Sequence, residues 1–137
     1  MFKSIYAIIL LWLVVLLATP TFAASTDDSG GGKSNYVGIE GPMVVNVLSP
    51  TSIHFLQVTT EFQLKDPAMA DTVQTHMAPI KHHLIMLLSD KKFYELQSVD
   101  GKRKLREEAL AVVQNVLKEK TGDTIVENIF FTSLVVQ

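Results

Sequence analysis

The sequence contains no cysteine. This absence excludes a disulfide scaffold, a thiol nucleophile, a zinc ribbon and a cysteine-ligated iron–sulfur site. Strong net charge is also absent, because 12 Lys and Arg residues are balanced by 14 Asp and Glu residues. A nucleic-acid-binding domain normally carries a strongly basic stripe, so no nucleic-acid partner is expected. The 137 residues, 47% of them hydrophobic, have about the length of one globular domain and are not disordered as a whole.

The N-terminal segment, residues 1–23, has the layout of a secretory signal peptide. Lys3 precedes an apolar run over residues 5–18, and small residues follow it. We therefore expect cleavage between Ala23 and Ala24, which predicts a periplasmic protein. An uncleaved inner-membrane anchor is the alternative, although a membrane-spanning helix needs about 20 apolar residues. Both interpretations place the rest of the chain outside the cytoplasm.

Two strands are predicted at the start of the folded domain. Residues 24–35 are rich in glycine and serine and predict a flexible tether, so the domain is expected over residues 36–137. Residues 43–48 are rich in β-branched side chains and lie between turn residues. Residues 53–65 alternate between apolar and polar side chains, with Thr60 as the exception. The short turn that separates the two strands predicts a hairpin.

A long amphipathic helix is predicted after the hairpin. Asp66 is a favoured N-cap, and Pro67 suits the first helical position because its missing N–H needs no partner there. A proline inside a helix removes a hydrogen bond, so a kink is predicted at Pro79. The apolar stripe expected to face the core consists of Met69, Val73, Met77, Ile80, Leu84 and Leu87.

Two further helices and a final strand complete the predicted order. Ser89 or Asp90 is expected to cap a short helix that ends near Leu96. Ser98 is expected to cap a long helix that Gly122 closes. The buried stripe predicted for this helix consists of Leu105, Ala109, Val112 and Val116, with Val113 and Leu117 alongside.

The last predicted strand covers residues 125–136 and is apolar on both faces, which is typical of a central strand. The resulting order is β-β-α-α-α-β. It predicts an α+β fold, a small sheet with helices on one face.

No side-chain pattern predicts an active site. The four histidines are His54, His76, His82 and His83. Two of them are seven residues apart on one predicted helix, about 10 Å, which is too far for shared metal ligation, so a solvated helix face is favoured. Glu107 and Glu108 are adjacent and point in different directions, which makes them a weak acid–base pair. We expect a protein without catalytic residues, cofactor or bound metal.

One charged run keeps two interpretations open. Lys102, Arg103, Lys104 and Arg106 are followed directly by Glu107 and Glu108. The favoured interpretation is a solvated helix face, and the alternative is a site for an anion or a lipid headgroup.

Four segments between Tyr36 and Gln137 form a recognisable series. The first consists of residues 36–39 followed by residues 43–47, and the second is the long strand with its helix cap, residues 55–66. The third is the proline-bearing stretch 76–80 with residues 84–89, and the fourth combines residues 96–105 with the closing residues 129–137. In this order, the four segments resemble the FliL family of flagellar basal body-associated proteins.

The resemblance implies a non-enzymatic protein at the flagellar motor, with a domain similar to the stomatin (SPFH) fold. Such proteins are expected to form homo-oligomeric rings around the stator units, at the inner membrane, and to support rotation and swimming or swarming motility. The residues expected to be structural are Asp66, Pro67, Pro79, Gly101, Phe130, Phe131 and Gln137.

The N-terminal segment departs from the family pattern, which is usually an uncleaved membrane helix. The short apolar run and the cleavage site favour a periplasmic FliL-like paralogue. The alternative function is a periplasmic ligand-binding or membrane-surface-binding protein that is unrelated to the motor.

Overall fold

The computed structural model describes residues 34–137. The predicted signal peptide and its cleavage site at Ala23 and Ala24 lie outside the described residues, as does most of the predicted tether. The strands are β1 (Tyr36–Gly38), β2 (Met43–Val47), β3 (His54–Leu64) and β4 (Val126–Val136). The helices are α1 (Ala70–Thr75), α2 (Met77–Ser89), α3 (Phe93–Gln97) and α4 (Val99–Thr121), and a short 3-10 helix (Pro67–Met69) precedes α1.

The sheet is antiparallel and is built around β3. Strands β1 and β2 pair with opposite ends of β3 along one side, and β4 pairs with its other side. Val58, for example, lies between Met43 of β2 and Leu134 of β4. The predicted hairpin of β2 and β3 is confirmed. The predicted element order lacks β1, because a strand of three residues is too short to show a periodic pattern.

The prediction that the last strand is central is wrong. Within the described residues, β4 pairs only with β3 and is therefore an edge strand. Thr60 pairs with Phe131 and Thr59 with Ser133, so Thr132 is an extra, bulged residue. A bulge reverses the alternation of side chains along a strand. Ile129 and Phe131 on one side of the bulge therefore share a face with Leu134 and Val136 on the other side, although these two pairs are out of phase in the sequence.

The helices cover one face of the sheet, as predicted, and the fold is α+β. The alternating residues of β3 that face the helices are buried: Leu56, Val58, Thr60, Phe62 and Leu64. The opposing helix residues are Val73, Ile80, Leu84, Leu88, Leu105, Ala109, Val113, Val116 and Leu117. The opposite face of the sheet has no helix among the described elements.

Pro79 does not kink a continuous helix. The helical run breaks at His76 instead, and Pro79 is the third residue of the new helix α2. A proline ring clashes with the carbonyl four residues earlier and is tolerated in a first helical turn, which explains a break just before it. The burial also differs from the predicted stripe: Leu88 is buried, whereas Met69, in the 3-10 helix before α1, is exposed.

The predicted caps of the short helix α3 are also wrong. Its N-cap is Lys92, and neither Ser89 nor Asp90 caps it. The chain before α3 is held extended because Leu48 accepts a hydrogen bond from Phe93 N and donates one to Lys91 O, both at 2.9 Å. This bridge to the end of β2 delays the start of α3.

Both predicted caps of α4 are confirmed. Ser98 Oγ accepts a hydrogen bond of 2.9 Å from Gly101 N, and Gly122 ends the helix in the left-handed region, with φ 86°. Five residues of the predicted stripe are buried, whereas Val112 is only half-buried.

Candidate functional site

A groove between α4 and β4 combines cationic and apolar side chains. It has a volume of about 480 Å³. The lining residues are Val99, Lys102, Arg103 and Arg106 from α4, and Phe130, Phe131 and Leu134 from β4. The helix residues are three or four positions apart and therefore form one stripe.

A side-chain hydrogen bond links the two elements that form the groove. Gln114 Nε2 donates a hydrogen bond of 2.9 Å to Val126 O, which attaches the second half of α4 to the first residue of β4. Phe130 and Phe131 lie next to each other in the strand, so their side chains point to opposite faces of the sheet. A groove that both residues line must open at the edge of β4.

Two of the three cations of this groove have no acidic partner among the described residues. Arg103 pairs with Asp100 at 3.0 Å, and both side chains are exposed. Among the described residues, no carboxylate lies within ion-pair distance of Lys102 or Arg106. The groove therefore presents two unpaired cations and no acidic lining residue, which is an arrangement suited to an anionic group.

A second cavity, of ≈ 400 Å³, lies between α3 and the first turns of α4. Its charges compensate each other, because Glu108 forms ion pairs with Lys91 and, at 3.9 Å, with Lys104. Gly101 lines this cavity, where α4 approaches the main chain of α3 closely. We regard this cavity as part of the helix packing.

The remaining predicted structural residues lie at helix starts and at the last strand. Asp66 Oδ1 accepts a hydrogen bond of 2.8 Å from Ala68 N, and Pro67 is the first residue of the 3-10 helix. Phe131 and Phe130 are both half-buried. The ring of Phe130 lies on the side of the sheet without helices, with its centroid 6.2 Å from that of Tyr36.

Gln137 is attached to the start of β3. Its main-chain N and O exchange hydrogen bonds of 2.9 and 2.8 Å with Phe55. His54 Nδ1 lies 3.1 Å from Gln137 O, and the imidazole stacks on Phe93 with the centroids 3.7 Å apart. Sequence reasoning missed this cluster, because its members lie far apart along the chain.

The other histidines lie on or beside α2. His83 Nδ1 contacts Pro79 O at 2.9 Å, and the rings of His82 and His83 meet edge to face. His76 occupies the break between α1 and α2. In residues 34–137, no group of three His, Asp or Glu residues is arranged to hold a metal ion. Within the same range, no helix combines the length and the hydropathy required to cross a bilayer.

The cations of the groove can be recognised in the sequence, whereas the apolar residues that line its other side cannot. The basic run 102–106 is visible in the sequence. Its proximity to residues 130–134 depends on the packing of α4 across the sheet, which no local pattern encodes. The bulge at Thr132 also has no signature in the sequence.

Comparisons with known proteins agree on one family. The model of the flagellar basal body-associated protein FliL matches residues 36–137. The chain is 23% identical over 99 residues to the flagellar protein FliL of Aquifex aeolicus (strain VF5). That alignment covers 72% of this chain and 59% of the relative, so the chain spans about three-fifths of the relative's length.

Proposed function

The chain belongs to the FliL family of flagellar basal body-associated proteins, and from this premise we propose that it is a non-enzymatic accessory protein of the flagellar motor. In this proposal it supports the stator units, and through them flagellar rotation and swimming or swarming motility. The family match over residues 36–137 is the observation that carries the proposal, because it includes every strand and helix described above. The likeness of this domain to the stomatin (SPFH) fold is part of the same proposal.

Self-association into a ring is the second part of the proposal. The sheet face opposite the helices carries exposed apolar side chains: Tyr36, Val44, Phe55 and Val135. Several exposed apolar side chains on one face of a domain make that face a candidate interaction surface. A second copy of the chain is the occupant that the family resemblance favours for this face.

A paired substitution tests the proposed self-association. Val44→Glu places a charge on the open sheet face, where Val44 is 57% exposed. Met86→Glu is the control, because Met86 is 62% exposed but lies on α2. The exported full chain is examined by light scattering over a range of concentrations. The proposal predicts an oligomer that Val44→Glu weakens and Met86→Glu preserves; a monomer at every concentration contradicts it.

Motility gives the test of motor function. The gene is deleted in the flagellated bacterium that carries it, and the strain is complemented with the wild-type gene. We expect smaller swimming or swarming zones with filaments still present, and recovery on complementation. Normal motility on both swimming and swarming plates would reject the motor role.

Localisation is a separate proposal: a periplasmic protein released by cleavage between Ala23 and Ala24. N-terminal analysis of protein from the periplasmic fraction should then begin at Ala24. A full-length species that only detergent extracts would instead show an inner-membrane anchor.

A further inference from the structure

We propose that the groove between α4 and β4 binds an extended peptide segment of a partner protein, with acidic and apolar side chains in alternation, which adds to the sheet along the edge of β4. The inference goes beyond motor association, since it defines a binding mode and a partner chemistry. It is tested by binding in solution, and it can therefore fail without affecting the motility result.

The edge of β4 is long and has little protection. β4 has 11 residues, and its outer side pairs with no described strand. An edge strand exposes unpaired N–H and C=O groups, and proteins usually protect it with charged residues, proline or bulges. β4 contains no proline, and Glu127, near its start, is its one charged residue. Register shifts leave Thr132 and Glu127 as extra residues and interrupt the edge locally, so regular ladder positions remain at residues 128–131 and 133–136.

The cations of the groove favour acidic side chains on one face of an added strand. Alternate side chains of a strand point to opposite faces of the sheet. Those that point towards α4 would meet Lys102, Arg103 and Arg106, with no acidic lining residue to repel them. Acidic side chains are complementary to this face.

The side chains on the other face of the added strand would meet an apolar surface. They would extend the sheet face that carries the half-buried Phe130 and the exposed Val135. Apolar side chains are complementary there. Addition of a strand to a sheet edge takes its affinity from main-chain hydrogen bonds and its specificity from alternate side chains. This favours a peptide over an isolated phosphate or a lipid headgroup, neither of which can pair with a strand edge.

The probe is a synthetic peptide of alternating Glu and Val, about ten residues long, which is the length of a strand. Binding to the full chain is measured by fluorescence anisotropy at low salt. A Glu–Ser peptide of equal length tests the need for apolar side chains, and a Lys–Val peptide tests the need for negative charge. We expect the Glu–Val peptide to bind most tightly and its affinity to fall as salt is added.

Two variants of α4 test the location. Lys102→Gln combined with Arg106→Gln should weaken the Glu–Val peptide by about two- to fivefold for each cation removed, the range for exposed ion pairs. Lys118→Gln combined with Lys120→Gln is the matched control, because it removes two cations from the same helix outside the groove. Equal losses in the two double variants would overturn the proposal, because they would show a non-specific charge effect.

A single substitution tests the groove without removing a cation. Val99 is the first residue of α4 and is 83% exposed. An acidic residue in a first helical turn interacts favourably with the helix dipole, so Val99→Asp should fold normally. The aspartate side chain in the groove would repel an acidic peptide, so we expect the Glu–Val peptide to bind Val99→Asp more weakly than the wild-type chain. Unchanged affinity in Val99→Asp would overturn the proposed site.

Two measurements separate strand addition from simple anion binding. Hydrogen exchange of the complex should show new protection in β4 and none at the C-terminal end of α4. Vesicles rich in anionic lipid are assayed beside the peptides, with the same variants. Peptide binding without protection of β4 would contradict the proposal. So would vesicle binding through Lys102 and Arg106 when the Glu–Val peptide does not bind.

Discussion

A Cβ atom added to Gly101 would lie 1.8 Å from the carbonyl oxygen of Glu95 and 2.9 Å from Ser98 Oγ. The first turn of α4 therefore rests directly on the main chain at the end of α3. The φ angle of Gly101 is not positive, so glycine is not needed here for a left-handed backbone. It is needed because a side chain would not fit between the two helices. The resemblance to the FliL family singled out this residue, and the contact gives a physical reason for it.

Gly101→Ala should destabilise the domain. Helix propensity alone predicts the opposite, a gain of about 1 kcal/mol for alanine over glycine. The clash involves main-chain atoms that cannot rotate away, and overpacking of this kind costs about 1–3 kcal/mol or more. We expect the clash to win, with a lower melting temperature in thermal unfolding of the full chain followed by circular dichroism.

Gly38→Ala is the control for this prediction. Its added Cβ would meet its nearest neighbour at 3.7 Å, an ordinary contact. The melting temperature should therefore change little. If Gly101→Ala melts at or above the wild-type temperature, the close packing of α3 and α4 is not required for stability.

The elements that the sequence predicts well are those with local signals. Ser98 and Gly122 mark both ends of α4, and the alternation in residues 53–65 predicts β3 and its buried face. These patterns depend on contacts within a few residues, so they are visible without the fold.

The elements that differ from prediction depend on distant partners. Leu48 delays the start of α3 by pairing with residues 91–93. The pairing of β3 with β4 creates the bulge at Thr132, and that bulge gives the false pattern of a central strand. The candidate groove has the same limitation: the cations of residues 102–106 are evident in the sequence, whereas their apolar neighbours are brought close only by tertiary packing.

Thr60→Val should stabilise the protein. Thr60 interrupts the apolar alternation of β3 and is fully buried, and its Oγ1 has no hydrogen-bond partner. A buried hydroxyl without a partner costs about 1–3 kcal/mol, and valine has nearly the same volume. We expect a higher midpoint in urea unfolding. Thr59→Val, on the opposite face of the same strand, should leave the midpoint almost unchanged; an equal rise in both variants would indicate a general β-propensity effect.

Asp123→Asn should alter the acid dependence of stability. Main-chain N–H groups of Ile125 and Thr124 hold the pKa of Asp123 below its ordinary value, with a smaller contribution from Lys65. Because the pKa of Asp123 is lower in the folded state than in the unfolded state, its carboxylate stabilises the fold at pH values above the unfolded pKa, near 4. This stabilisation is lost as the pH falls through the pKa of the folded state. The variant should be less stable than wild type at neutral pH, and this difference should shrink below about pH 4.

Urea unfolding at a series of pH values measures this difference. Glu127→Gln changes the net charge equally at an exposed site in β4 and serves as the control. A difference between Asp123→Asn and wild type that stays constant down to the lowest pH would contradict the role of the Asp123 carboxylate in the turn.

Phe131→Ala should destabilise the domain more than Phe130→Ala. Phe131 faces the helices opposite Thr60 and packs against the core; because it is half-buried, we expect about half of the 3–5 kcal/mol cost of a buried phenylalanine. Phe130 contacts Tyr36 on the open face, and an aromatic pair contributes about 0.5–1.5 kcal/mol.

Removal of residues 129–137 should leave no cooperative transition, because β3 would lose its partner along most of one side. Melting by circular dichroism is run beside a motility-plate assay. A truncated protein that melts normally but fails to support motility would mean that these residues act as a partner-binding tail and are not needed for the fold.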